Sequence, residues 1–206
     1  MTADPILIVA AVSQEMRGFR PSDGVRILVT GMGRARAKSR LESYLRGTAV
    51  SRILSVGFCG GLDPLLKAGQ PVWVESVVGP GGARRQAAAW SGKINGSLPG
   101  TTLLTVDRPV RTALEKTALR TQFGAGIVDM ETAAIAEVAA DQGIPWNGLR
   151  VILDPAAQPL EFDSARAALW ALRHPSGWKR LINFLEQLQA AGDTLAKHLN
   201  NITGPS

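Results

Sequence analysis

The chain has 206 residues, 45% hydrophobic and 19% charged, a balance that suits one globular domain with a full core and excludes a disordered or fibrous protein. A single cysteine excludes an internal disulfide and a zinc site built on several thiolates, and two histidines, both late in the chain, argue against Ser-His-Asp or Cys-His chemistry and favour carboxylates. The formal charge of +6 admits an anionic membrane face or a phosphorylated substrate, but the series Arg34, Arg36, Lys38, Arg40 has no interleaved aromatic, so no nucleic-acid partner is expected.

In chain order, residues 6–12 form an apolar run too short to span a membrane and without a basic flank before it; they predict a first strand and a soluble, cytoplasmic protein. Residues 25–30 predict a second strand, closed by a Gly31-Met32-Gly33 turn that leads into a helix over Arg34–Leu45. A strand over 53–56 is followed by GFCGG, Gly57 to Gly61, read as a second glycine-rich turn. Pro71–Val78 predicts a strand, and the segment 79–100 reads as a mobile loop serving as an active-site flap. Strands over 102–106, 126–128 and 149–153 alternate with helices over 109–120 and 131–141, the latter closed by Gly143. Past Asp154 the pattern turns irregular over 155–163, and helices follow over 164–172 and 177–199.

Leu181, Leu185, Leu188, Leu195 and Leu199 share one face of the last helix, which is expected to pack on the sheet. Its basic start, Lys179 and Arg180, also suits peripheral contact with an anionic membrane. With no repeat and no linker, 1–206 reads as a single α/β domain: a three-layer fold with a twisted mixed central sheet flanked by helices.

Strand ends are where an α/β sheet presents its ligands. Glu15 follows the first strand, Asp129-Met130-Glu131 follows the short strand at 126–128, and Asp154 ends the run 149–153. Each alone is an ordinary cap or turn acid. Together they describe carboxylates converging above one sheet edge, with Arg150 on the same strand as Asp154.

The wording of these segments is more specific. ILIVAAVSQEM, VTGMGRARA, SVGFCGGL, KAGQPVWV, VDMETAAIAEVA and LRVILDP resemble, in that order, the superfamily of purine nucleoside phosphorylases and methylthioadenosine/adenosylhomocysteine nucleosidases. The TVDRPV and RVILDPA segments and the LRHPSGW region look most like the hopanoid-associated phosphorylases, which are linked to removal of adenine from adenosylhopane, a lipid-tailed adenosine. The resemblance implies cleavage of the N-glycosidic bond of a purine nucleoside. It implies Asp154 as the acid that protonates purine N7, Glu131 as the grip on the ribose hydroxyls, and Met130 packing on the sugar. Glu15, with Arg150 beside it, is implied to activate the attacking water, and Asp107 to Val110, including Pro109, to form the lip of the base pocket. No metal or organic cofactor is implied; inorganic phosphate remains open as a co-substrate, and a homodimer is the family's habit.

The chain departs from the family pattern in two side chains. Phe58 stands where relatives commonly carry a small hydroxyl residue, and Asp129 replaces a glutamate; both are placed among the substrate-binding positions. The segment between Val78 and Thr102 is short, which would leave the ribose 5′ side open to a bulky substituent. Hydrolysis is expected over phosphorolysis, because a carboxylate beside the nucleophile repels phosphate. Arg34 and Arg36 offer the contrary signal, as cations able to recruit it. A nucleoside-binding protein without turnover is the remaining alternative.

Overall fold

The computed structural model describes residues 4–90, 98–159 and 175–203, the side chains of 175–181 excepted. Strand β1 (Ile6–Ala10) is buried on both faces, with Leu7 and Val9 in one core cluster and Ile8 and Ala10 in the other. Side chains alternate across a strand, so a continuous apolar run feeds two cores at once. β1 pairs in parallel with β2 (Val25–Val29) on one side and β3 (Arg52–Gly61) on the other. β2 is the sheet edge and leaves Ile27 and Val29 exposed.

The remaining strands are β4 (Pro71–Val78), β5 (Arg84–Gln86), β6 (Gly100–Thr105), β7 (Ile127–Asp129) and β8 (Trp146–Asp154). Their order is β2-β1-β3-β7-β6-β4-β5, and β8 lies parallel to β3 and antiparallel to β4. β8 thereby closes β3, β7, β6 and β4 into a ring. Helices α1 (Arg34–Leu45) and α3 (Thr132–Asp141) cover the cluster that holds Leu7, Val9, Ile53 and Ile152. On the other face, α4 (Pro175–Thr203) seats Ala191, Leu195 and Leu199 against Ile8, Leu54 and Leu149. The expected α/β domain, with a mixed sheet between helices, is what the chain forms.

Several local expectations need correction. GFCGG is not a turn: β3 runs through it to Gly61, with an irregularity between Cys59 and Gly60 where it follows β8. β5 lies inside the segment expected to be loop, and residues 91–97 of that segment lie outside the described residues. Helix α2 (Ala113–Phe123) starts four residues later than expected because Thr112 caps it. The Glu115 N–H donates to Thr112 Oγ1 at 3.1 Å and the Thr112 N–H donates to the Glu115 carboxylate at 3.2 Å, a reciprocal capping box.

The leucine stripe of the last helix splits. Leu195 and Leu199 are buried, whereas Leu185 is 52% exposed and Leu181 lies outside the described side chains, as do Lys179 and Arg180. The helix expected at 164–172 lies outside the described residues. Among the described residues, no helix is long and apolar enough to cross a membrane.

Candidate active site

A cavity of about 260 Å³ opens where β1, β3, β7 and β8 end. Glu15, Phe58, Pro109, Val110, Asp129, Met130, Glu131 and Asp154 all line it. Arg150 does not. It lines a smaller cavity of about 10 Å³ beneath, which Glu15, Phe58 and Glu131 share with the larger one.

Glu15 sits in a short 3-10 turn (Ser13–Met16) just after β1 and is buried. Its Oε2 accepts the Ala11 and Val12 N–H groups at 2.8 and 3.0 Å, and its Oε1 accepts the Phe58 N–H at 3.1 Å. Burial pushes its carboxyl above the usual glutamate range, opposed by the Val12 N–H, the Arg150 charge and the other two N–H groups. Gly57 makes this possible, for a Cβ there would collide with the Glu15 carboxylate, and its φ of +153° is one that side chains rarely adopt. At Gly60 an added Cβ would sit tightly, 3.1 Å from Val128 Cγ1 and 3.3 Å from Asp154 Oδ2, without the outright collision found at Gly57. Gly57 thus clears the space that the Glu15 carboxylate occupies.

Asp129 has both oxygens engaged by protein donors. Oδ1 accepts Thr105 Oγ1 at 2.7 Å, and Oδ2 accepts the Thr132 hydroxyl, its N–H at 3.1 Å, and Arg150 at 3.0 Å. Arg150 in turn donates to the Ser55 carbonyl at 2.9 Å and to Ser55 Oγ at 2.8 Å, while its buried Nε has no hydrogen-bond partner among the described residues. The pair is fully buried and holds the start of α3 against β3 and β8.

Glu131 stands at the N-cap of α3, and its Oε1 accepts the Gly33 N–H at 2.6 Å. Burial first, then the neighbouring Asp129 charge, raise its carboxyl to about 7. The turn at Gly31 to Gly33, with φ of +84° and +92° at its glycines, brings that N–H to the site. Arg34 is not free for an anion, since its Nε pairs with Asp107 at 2.9 Å. Arg36 is exposed on α1.

Asp154 ends β8, and its Oδ2 forms an ion pair of 2.6 Å with Lys116 of α2. Burial raises the Asp154 carboxyl, and the Lys116 ammonium pulls it back. Sequence reasoning missed Lys116, since a lysine in a helix ordinarily faces water. The signal was its spacing: Lys116, Leu119 and Phe123 fall at i, i+3 and i+7, on the face of α2 that meets the core. Thr105, Thr132 and Ser55, which brace Asp129 and Arg150, were also missed; nothing marks them in the sequence.

Residues 98–182 match the family described as the phosphorylase superfamily. No curated protein sequence matches the chain. Among solved structures, a futalosine hydrolase mutant of Helicobacter pylori superposes with a TM-score of 0.74 at 17% identity, covering 97% of this chain and 98% of that one. The 5′-methylthioadenosine/S-adenosylhomocysteine nucleosidase of the same organism, bound to butyl-thio-DADMe-Immucillin-A, gives 0.74 at 19% identity, covering 98% of each chain. The corresponding nucleosidase from Neisseria meningitidis gives 0.72 at 18% identity, covering 97% of this chain and 98% of that one. These likenesses extend over nearly the whole chain and show that it has the nucleosidase fold.

Proposed function

We propose that the protein is a nucleosidase that hydrolyses the N-glycosidic bond of a 5′-substituted adenosine and releases adenine. The observation that carries this reading is the cavity of about 10 Å³ lined by Glu15, Glu131 and Arg150 beneath the main pocket. That volume holds about one water molecule and is too small for phosphate. Its wall includes the Glu15 carboxyl, which can accept the proton of such a water, and Arg150, whose buried Nε has no hydrogen-bond partner among the described residues. The Glu15 carboxylate that accepts the proton also repels a phosphate anion, and Arg34 is tied to Asp107. Solved relatives of the same fold are named as hydrolases and nucleosidases, which agrees with this choice.

In the proposed reaction the C1′–N9 bond breaks, the water oxygen bonds to C1′, and its proton passes to Glu15. Asp154, kept protonated more readily by its burial, gives a proton to N7 of the departing purine. Glu131 accepts hydrogen bonds from the ribose hydroxyls, and these strengthen as the sugar gains positive charge. Met130, Pro109 and Val110 supply apolar surface for the sugar and base. Phe58 fills the place of a hydroxyl residue with its ring, but its backbone N–H takes part by holding Glu15.

The resemblance to hopanoid-associated proteins makes adenosylhopane the substrate of choice. Adenine release from 5′-methylthioadenosine and from an adenosine with a long apolar 5′ group, each with and without phosphate, tests the proposal. Release without phosphate is expected, faster for the longer group. Release only with phosphate would establish phosphorolysis instead, and nucleoside binding without release would establish a silent binder.

A further inference from the structure

Lys116 is the bulkiest side chain wholly buried in the described core, and it belongs to no expected motif. Its Nζ donates to the carbonyls of Asp154 at 3.1 Å, Pro155 at 2.8 Å and Gln158 at 2.8 Å, in addition to Asp154 Oδ2. Every partner is an acceptor, and a neutral amine has only two N–H donors, so the site is built for an ammonium. A buried ammonium is costly unless paired, and Asp154 is the group that pairs it. The turn after β8 is wrapped around this one charge.

We propose that Lys116 is the positioning residue for Asp154: its ammonium fixes Oδ2 and the turn over 154–158, leaving Oδ1 to face the purine, and it sets the pH at which that carboxyl gives up its proton. This rests on the nucleosidase reading for what Asp154 does, but not for the coupling between the two groups. Among the described residues, Lys116 is the charge that acts on Asp154. From β3, Cys59 is a buried thiol whose acidity burial suppresses, so it stays neutral. From β7, Asp129 is paired with Arg150. From α4, Asn183 and Gln187, both uncharged, line a cavity together with Asp154.

The sign is fixed by the chemistry. Asp154 works as an acid while it is protonated, and a nearby cation favours its ionised form. Removing the cation therefore moves the alkaline limb of the rate profile to higher pH. In Lys116→Met, with 5′-methylthioadenosine as probe, the alkaline limb of kcat/KM is expected to rise by about 1 to 3 pH units. The ¹³C signal of the Asp154 carboxyl, assigned by its loss in Asp154→Asn, is expected to titrate higher by the same amount. Lys116→Arg keeps the charge and is expected to restore the wild-type midpoint. An unchanged Asp154 midpoint in Lys116→Met would overturn the proposal and leave Lys116 a structural anchor alone.

If Lys116→Met yields no folded protein, the wild type decides. The ¹⁵N signal of Lys116 Nζ is expected to step at the pH where the Asp154 carboxyl titrates, and a flat signal through that pH overturns the coupling. Failure of the wild type to release adenine sinks the nucleosidase reading, while these two titrations still judge the pair.

Discussion

At the residue scale, the acids of this site differ in what holds them. Glu15 is clamped by backbone N–H groups, Asp154 by a lysine, and Glu131 by the single N–H of Gly33. Glu131 is consequently the least compensated. With its carboxyl raised to about 7, the folded state loses stability as pH rises from the ordinary glutamate value to about 7, a loss that a neutral side chain avoids. Glu131→Gln retains an acceptor for the Gly33 N–H, so its melting temperature at pH 8 is expected to exceed that of the wild type. The gain is about 2–4 °C for each kcal/mol recovered, and it disappears below about pH 4, under the ordinary glutamate value, where the position is neutral in the folded and the unfolded chain alike. The same variant is expected to lose turnover, since the ribose grip needs the charge. A variant no more stable than wild type at pH 8 would mean that Glu131 is ionised without cost.

At the scale of elements, β3 and α4 decide what the site stands on. β3 is long enough to pair with β1 over its first residues, with β8 along most of its length and with β7 at its end, so the carboxylates that follow β1, β7 and β8 are all referred to one strand. Among the described side chains, α4 buries Ala191, Leu195 and Leu199 against the opposite face. Leu199 is fully buried against the cluster containing Ile8 and Leu54, while Ile182 and Leu185 near the start of the helix are exposed. Leu199→Ala is expected to destabilise the protein by about 2–5 kcal/mol, the cost of a cavity in a core that relaxes only in part. Leu185→Ala is expected to change stability by no more than about 0.5 kcal/mol. Chemical denaturation of the two variants checks the contrast, and equal losses would mean that the whole leucine stripe is packed.

At the scale of the whole molecule, the site makes stability depend on pH in an unusual direction. Glu15, Glu131 and Asp154 all have carboxyls raised in the folded state, so across that window the folded protein binds more protons than the unfolded chain. Their contribution to stability is greatest below the unfolded carboxyl values and falls as pH rises to about 7, the value reached by Glu131. His198, held below its usual value by burial, contributes in the opposite sense near neutrality. The melting temperature is expected to be higher at pH 5.5 than at pH 8, and a higher value at pH 8 would contradict the three shifts together. The exposed pairs Lys38–Glu137 and Arg108–Glu115 add little to this balance because water and salt screen them.

The acids at the strand ends were legible in the amino-acid sequence by themselves. Glu15, Asp129, Glu131 and Asp154 follow apolar runs whose period marks them as strands, and local pattern is enough to find where such a run stops. The α/β class was legible for the same reason, since alternating strands and helices leave few ways to bury both. Only the tertiary structure decided what each acid touches. It separates Asp129, consumed by Arg150 and two threonines, from Glu131 two residues later, which keeps an oxygen for the cavity. It turns GFCGG from an expected turn into a strand whose Gly57 makes room for Glu15. It also brings Lys116 to Asp154 across 38 residues of sequence. A strand end is a local property of the chain, whereas the state of a buried carboxyl depends on donors brought to it by packing, and no short-range pattern encodes those.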